Sequence, residues 1–314
     1  MTRGSLRPTA FRGDLDVADL HAFLQPERQY AGDTLWTFGA SLKSAYVNTF
    51  EFLNHAPVVQ LWRDAQGQIQ AVLRIELGPG EWFYQAAPDC REPAVATAIA
   101  AQADAALELL SDHDSWRTVA HQSDAASAGQ LEENGYVADG GAQVYMTRSL
   151  GSEIRAVPDP AGCSISVLDP ENPKQVAERG DAQLDAFLED QPRDEVAAWI
   201  ARTLPHQLSY GRPLRPPCVV AVDANGRVLA FADPYFDPAN KIGEFEPVGT
   251  RKEMQRRGLA KAVVTRGLEL MQRAGMQQAV VRTGVENAAA IAAYASVGFE
   301  VSDQLLYYRK KRQG

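Results

Sequence analysis

The densest chemistry in this sequence lies between residues 244 and 261. The run Gln255-Arg256-Arg257-Gly258-Leu259-Ala260-Lys261 crowds a glycine and three cations into the start of a helical stretch. The first turn of a helix has backbone N–H groups with no acceptor inside the helix, and the helix dipole puts positive charge at the same end. Such a start is an anion site. Gly258 removes a Cβ where a phosphate must approach the backbone, Ala260 keeps the next turn narrow, and Arg251, Arg256, Arg257 and Lys261 supply charge. A diphosphate fits this set better than a single carboxylate. Neither GxxxxGK nor GxGxxG is present, which sets aside the Walker loop and the dinucleotide fingerprint. Just upstream stand Glu244 and Glu246, on either side of Phe245. Side chains alternate along a strand, so both carboxylates fall on one face. A carboxylate so placed can take the proton of an attacking amine, directly or through water, and attract a cationic substrate. Two like charges side by side also raise each other's pKa toward the working range of a base. Strand glutamates ordinarily just solvate a sheet face, and that alternative stays open.

The elements that must hold these residues can be read from periodicity. Residues 243–249 form a strand. A helix follows over 256–274, with Leu259, Val263, Gly267, Leu270 and Ala274 on one face and Gly275 as its cap. Residues 278–283 make a buried strand, 287–297 a second helix capped by Gly298, and 304–310 a closing strand.

The same order runs through the first half. "LWRDAQGQIQAVL" at 61–73 and "AVDANGRVLAFA" at 221–232 are both hairpins with an Asp-Ala-x-Gly turn. "LEENGYVADGGAQVYMTRSL" at 131–150 parallels "YASVGFEVSDQLLYYRKKR" at 294–312, and "DVADLHAFLQ" parallels "DAQLDAFLED". Gly67 and Gly226, like Gly135 and Gly298, stand about 160 residues apart, half the chain. Two domains of like architecture follow, 1–150 and 163–314, joined by a linker over 151–162 rich in proline and glycine. Each reads as strand, helical stretch, hairpin, strand, helix, strand, helix, strand: an α/β fold with a mixed sheet and helices on both faces.

Two motifs in this order, Gln255-x-x-Gly258-x-Ala260 after a strand and Asn287-x-x-Ala290-x-x-x-Tyr294-x-x-x-Gly298-Phe299 on a later helix, resemble those of the GNAT superfamily of acyl-CoA-dependent N-acetyltransferases. The likeness covers 163–312 by motif and 1–150 by architecture. It implies α+β domains whose mostly antiparallel sheet is splayed at the centre, with acetyl-CoA as cosubstrate. The pyrophosphate would lie on amides 256–261 and the pantetheine arm would pair along the strand ending Val248-Gly249-Thr250, an added strand made by a ligand. Gly249 would permit a bulge there. The resemblance puts the Tyr294 hydroxyl near the coenzyme sulfur as general acid, and it puts Asn287, otherwise a plain helix cap, in reach of the cofactor arm. Glu244 matches the position of the catalytic glutamate of histone-acetylating members, while Glu246 lies nearer the thioester; the choice of base stays open. The first half departs from the pattern. Its loop, "AAPDCREPAVATA" at 86–98, has no glycine, two acids in Asp89 and Glu92, and Pro93 at the helix start; Asp124 and Leu131 stand where Asn287 and Tyr294 stand. A degenerate first half beside a working second half is similar in layout to the mycothiol synthases.

Composition sets the outer bounds. The chain has 314 residues, 45% of them hydrophobic, and a net charge of −9, which argues against a nucleic-acid partner. No run of about 18 apolar residues stands out as a membrane span, and the start "MTRGSLRPTAFRGDLD" has no signal-peptide core; a cytoplasmic protein is expected. Cys90, Cys163 and Cys218 read as reduced thiols, and no histidines stand at metal-ligand spacing, so no metal is expected. The tryptophans should pack, and "RKKR" at 309–312 should be a solvated tail. The reading is therefore direct acetyl transfer from acetyl-CoA to a primary amine of a small molecule or peptide, by a monomer or homodimer. The alternatives are a silent acyl-CoA sensor or an acyltransferase for an amino sugar conjugate. Acceptor pockets are expected on loops such as 190–217.

Overall fold

The computed structural model describes residues 6–12, 14–23, 59–76, 80–87, 92–187, 193–209, 218–238 and 240–312. Two compact units emerge, one made of residues 1–144 and 303–314, the other of 145–302.

In the first unit the strands are β1 (Arg7–Ala10), β2 (Val59–Arg63), β3 (Ile69–Glu76), β4 (Glu81–Ala86) and β5 (Ser115–His121). Its helices are α1 (Asp14–Phe23), α2 (Pro93–Leu110) and α3 (Ala125–Glu133). Strand β6 (Val137–Ser149) begins in this unit and β12 (Glu300–Lys311) ends in it, giving the order β1-β2-β3-β4-β5-β12-β6. The second unit holds β7 (Cys163–Val167), α4 (Pro173–Phe187), α5 (Arg193–Ser209), β8 (Val219–Asp223), β9 (Val228–Asp237) and β10 (Ile242–Thr250). Then come α6 (Leu259–Arg273), β11 (Gln278–Gly284) and α7 (Ala288–Ala295), in the order β6-β11-β10-β9-β8-β7. The pairs β1/β2, β2/β3, β3/β4, β5/β12, β7/β8, β8/β9 and β9/β10 are antiparallel, while β4/β5 and β10/β11 are parallel.

The repeat extends to turn chemistry. Asp64 accepts from the amides of Gln66 and Gln68, and Asp223 from those of Asn225 and Arg227, the same side-chain turn closing both hairpins. The closing strands, however, do not follow the contiguous domains 1–150 and 163–314. Strand β6 passes from the first unit to the second after Val144, and β12 passes back after Ser302. Each unit thus contains a strand segment from the other half of the sequence.

Each unit has its own core. Trp62, Trp82 and Trp116 pack with Ile99, Leu107 and Tyr136 in the first, as expected of the tryptophans; Leu184, Ile200, Val220 and Phe231 pack in the second. Trp36 lies outside the described residues. Contrary to the sequence reading, one helix, α2, is long and apolar enough by length and composition to cross a membrane. Much of that apolarity is alanine, which lets the helix lie close on the sheet through Ala96, Ile99, Ala100 and Ala103. Its Asp104 accepts from the Trp116 indole at 2.7 Å and from Lys310 at 2.6 Å. The basic run at 309–312 is therefore no solvated tail. Arg309 and Lys310 lie in β12, Arg309 pairs with Asp139, and Arg312 donates to the carbonyls of Glu108 and Ser111 at the end of α2, where the carbonyls have run out of helical donors.

Candidate active site

Strands β10 and β11 run parallel, and their ladder extends only from Ile242↔Gln278 to Glu244↔Val280. On its other edge β10 stays paired with β9 to Thr250, with a register shift between Phe245 and Val248. Pro247 sits inside that shift, and a residue with no N–H cannot donate to a ladder, so the bulge falls there and not at Gly249. Gly249 is needed for another reason: a Cβ on it would lie 2.4 Å from the Phe231 ring and 3.1 Å from Ala186. From Phe245 onward the two central strands part, which opens a slot of the kind the resemblance implied.

The turn expected to bind an anion lies past the end of β10. A single 3₁₀ turn, Lys252–Met254, is followed by Gln255, Arg256 and Arg257, all exposed, and by Gly258 in the left-handed region at φ 79°. Arg256, at φ 59°, shares that region without being glycine, a conformation that costs strain. The helix therefore begins at Leu259 rather than 256. Gly258 caps it without any side-chain hydrogen bond, and the first intrahelical bond runs from the Ala262 amide to the Gly258 carbonyl at 3.0 Å. The amides of Leu259, Ala260 and Lys261 thus have no partner inside the helix. A Cβ on Gly258 would meet nothing within 4 Å, so the space in front of the turn is open. Along the helix the buried face is Leu259, Ala262, Val263, Gly267, Leu268 and Met271; Leu270 is half-buried and Ala274 an exposed cap, unlike the expected stripe. Arg251 does not serve the turn. It is buried, and its guanidinium donates to the Val228 carbonyl and to Asp185, with Glu178 at 3.6 Å. Half-buried Lys261 remains, with Arg256 and Arg257. Val248 is half-buried at the slot, and the Thr250 hydroxyl is buried with no partner.

The residues proposed for proton transfer have distinct surroundings. Tyr294, 6% exposed, packs edge-on against Phe299 with 5.9 Å between ring centroids, and Phe299 in turn packs on Phe245 at 6.4 Å. Burial, and then the charge of Glu246, push the Tyr294 phenol above its ordinary range, so it stays protonated. Glu246 is half-buried and electrostatically coupled to Tyr294. Glu244 is 3% exposed and lies 3.7 Å from the Arg282 guanidinium. The two carboxylates are thus set apart: Glu244 has a cation beside it, while the charge of Glu246 bears on the phenol. Arg282 was not singled out from the sequence, although an arginine in the buried stretch "AVVRT" beside a strand carrying Glu244 was a signal for an ion pair. Asn287 caps α7, accepting from the Ala290 amide at 3.1 Å.

The first unit keeps the frame, and its described residues differ at the matching positions. Its parallel pair β4/β5 meets at Glu81↔Arg117, and those side chains pair with each other. Glu92 caps α2 without a side-chain bond, Pro93 removes an amide from the first turn, and buried Leu131 replaces the tyrosine. Asp124 caps α3 through the Ser127 amide as Asn287 caps α7. Asp89 lies outside the described residues.

Residues 182–299, which span the slot strands, the amide turn and Tyr294, match the model of the acetyltransferase (GNAT) family. A tandem GNAT protein from the clavulanic acid biosynthesis pathway superposes with a TM-score of 0.69 at 17% identity, covering 99% of both chains. A GCN5-related N-acetyltransferase from Sphaerobacter thermophilus gives 0.65 at 16% identity over 98% of this chain and 96% of its own. A GNAT-family acetyltransferase from Colwellia psychrerythraea gives 0.54 at 12% identity over 98% and 100%. At such identities the likeness is one of fold. No curated protein sequence matches the chain significantly. The family match over the slot and the doubled fold define an acyltransferase made of two similar halves. Residues 182–299 thus match the GNAT acetyltransferase family, and the fold of the chain is that of tandem GNAT proteins.

Proposed function

We propose that the second unit transfers an acetyl group from acetyl-CoA directly to a primary amine, and that the first unit binds no coenzyme. The observation that carries this reading is the conjunction, along one slot, of a β10/β11 ladder that stops at Glu244, three helix-start amides behind a left-handed glycine, and a buried protonated phenol under the charge of a carboxylate. The donor fits the residues present. The amides of Leu259, Ala260 and Lys261 suit a diphosphate, the stretch of β10 from Phe245 to Thr250, past that ladder, suits the amide-bearing arm, and the open space before Gly258 admits the anion.

Bound acetyl-CoA supplies an acyl thioester. Glu246 takes a proton from the incoming ammonium, the amine nitrogen attacks the acyl carbon, and the C–S bond breaks as the Tyr294 O–H gives its proton to the departing sulfur; the surplus proton left on the amide nitrogen returns to the Tyr294 oxygen, directly or through water, and Glu246 gives its own to solvent. Tyr294 is suited to donate because burial keeps its proton on. The sensor alternative would use the slot without turnover. Titration calorimetry with acetyl-CoA, followed by thiol release with a panel of small amines, tests the reading. One site per chain and amine-dependent thiol release are expected; two equivalent sites, or binding without release across the panel, would overturn it.

A further inference from the structure

Arg179 and Arg251 show how the second unit pairs a buried guanidinium. Arg179 donates to Gln183 and Asp233, each at 2.9 Å, and stacks on the Phe231 ring, while Arg251 donates to Asp185 and the Val228 carbonyl. Arg282 on β11 is not provided for in this way. Its ion pair with Glu244 spans 3.7 Å, beyond hydrogen-bond length, and among the described residues its guanidinium makes no hydrogen bond. Nor is it sealed in: 14% of the side chain is exposed and, unlike Arg148, it has no nitrogen that is both closed off and unpartnered. A guanidinium taken most of the way out of water without acceptors is costly, and one that a solute can still reach is placed to bind an anion.

Its position suits the acceptor rather than the donor. Side chains alternate along a strand, so Phe231, Asp233 and Tyr235 on β9 share one face, the face on which Arg179 of α4 stacks on Phe231 and bonds Asp233. Tyr235 pairs with Glu244 across β9/β10 and Glu244 with Val280 across β10/β11, so Glu244 and, two residues on from Val280, Arg282 lie on that α4 face. Phe245 points the other way, onto α6, where a Cβ on Gly267 would lie 2.4 Å from its ring. The amide turn that starts α6, and Tyr294, which packs through Phe299 on Phe245, approach the slot from that opposite side. Arg282 and Glu246 each stand two residues past the last ladder pair, about 6–7 Å along strands that have begun to part. We infer that the acceptor amine carries a carboxylate a few bonds from its nitrogen, and that Arg282 binds that carboxylate on the α4 side of the slot. The inference rests on the transfer proposed above. Charge favours a zwitterion: its ammonium meets Glu246, its carboxylate meets the planar fork of Arg282, and no net charge is added beside Glu244. A dianionic phosphate would instead bring surplus negative charge to two carboxylates.

The test offers the full chain matched acceptors: glycine, β-alanine, 4-aminobutanoate and leucine, the carboxamide of each, and 2-aminoethyl phosphate. Thiol release from acetyl-CoA gives kcat and KM, and saturation-transfer NMR in the presence of coenzyme A reads acceptor binding without turnover. For at least one spacing of amine and carboxylate, the acid should exceed its amide by about 10- to 100-fold in kcat/KM, chiefly through KM. In Arg282→Gln that ratio should fall toward one while acetyl-CoA affinity by calorimetry holds. Arg282→Lys, which keeps the charge but not the fork, should fall between the two, and it decides the matter should Arg282→Gln fail to fold. Equal use of acids and amides by the wild type, a preference for the phosphate, or a ratio unmoved in the variants would overturn the inference and leave the transfer reading standing. Absence of thiol release with every amine would sink the transfer reading, and NMR would then decide: preferential carboxylate binding lost in the variants upholds the carboxylate site, and equal binding of acids and amides overturns it.

Discussion

Replacement of Gly258 separates backbone strain from ligand contact. At φ 79° any other L-residue pays about 1–2 kcal/mol for the left-handed conformation. Because a Cβ there would meet nothing within 4 Å, that strain is the whole cost in the free protein. For a unit of this size, Gly258→Ala should lower the melting temperature by about 2–8 °C. Strain of this kind is present with and without ligand, so it cancels in the binding free energy. Any loss of acetyl-CoA affinity in Gly258→Ala therefore reports a clash between the new methyl and the anion on amides 259–261. A loss of at least about 10-fold is expected, equal to 1.4 kcal/mol, and Gly258→Asp, which adds negative charge at the same point, should abolish measurable binding. Differential scanning fluorimetry reads the first quantity and titration calorimetry the second. A variant that melts earlier but binds acetyl-CoA as well as wild type would show that the diphosphate does not rest on this turn.

Tyr294→Phe should retain acetyl-CoA affinity and lower turnover by about 10- to 10⁴-fold; unchanged turnover would return Tyr294 to a packing role. Glu246→Gln should cut turnover at neutral pH, with the loss shrinking as pH rises and free amine becomes abundant; a loss constant from pH 7 to 9.5 would refute Glu246 as base. Glu244→Gln should instead leave Arg282 poorly compensated and cost about 1–3 kcal/mol of stability in denaturant titrations; an unaltered midpoint would refute that pairing. Asp303 is pulled upward by burial, but bonds from Ser123, the Gln304 amide and His121 outweigh this and hold its pKa below the usual carboxylate range. A depressed carboxylate stabilises above its unfolded pKa of about 3.9, and that stability is lost as pH falls through the folded value. Asp303→Asn should therefore melt below wild type at pH 7 by a margin that narrows below pH 4, and a margin independent of pH would exclude this account.

Local chemistry made much of this architecture legible. The paired Asp-Ala-x-Gly turns, the helix ends at Gly135 and Gly298, and the amide turn around Gly258 are set by residues that act within a few positions, and each holds in the structure. Failures arose where distant partners decide. Nothing near Arg251 shows that Asp185 and Glu178 claim its charge. Likewise, Gly249 is small because Phe231 fills the space above it, a neighbour on another strand. The basic run at 309–312 looked solvated because its acceptors, Asp104, Asp139 and the end of α2, lie in the other half of the sequence. The exchange of β6 and β12 left no local mark, since a strand alternates in the same way whichever sheet it enters.

That exchange bears on how the chain is made. A ribosome delivers β5 well before the strand that lies against it in the first unit, residues 303–311. Until then the early half has an unsatisfied strand edge, open to wrong partners. Injury to residues 303–311 should thus be felt in the first unit, and the two halves depend on each other: the first supplies residues 145–149 to the second unit and receives residues 303–311 in return.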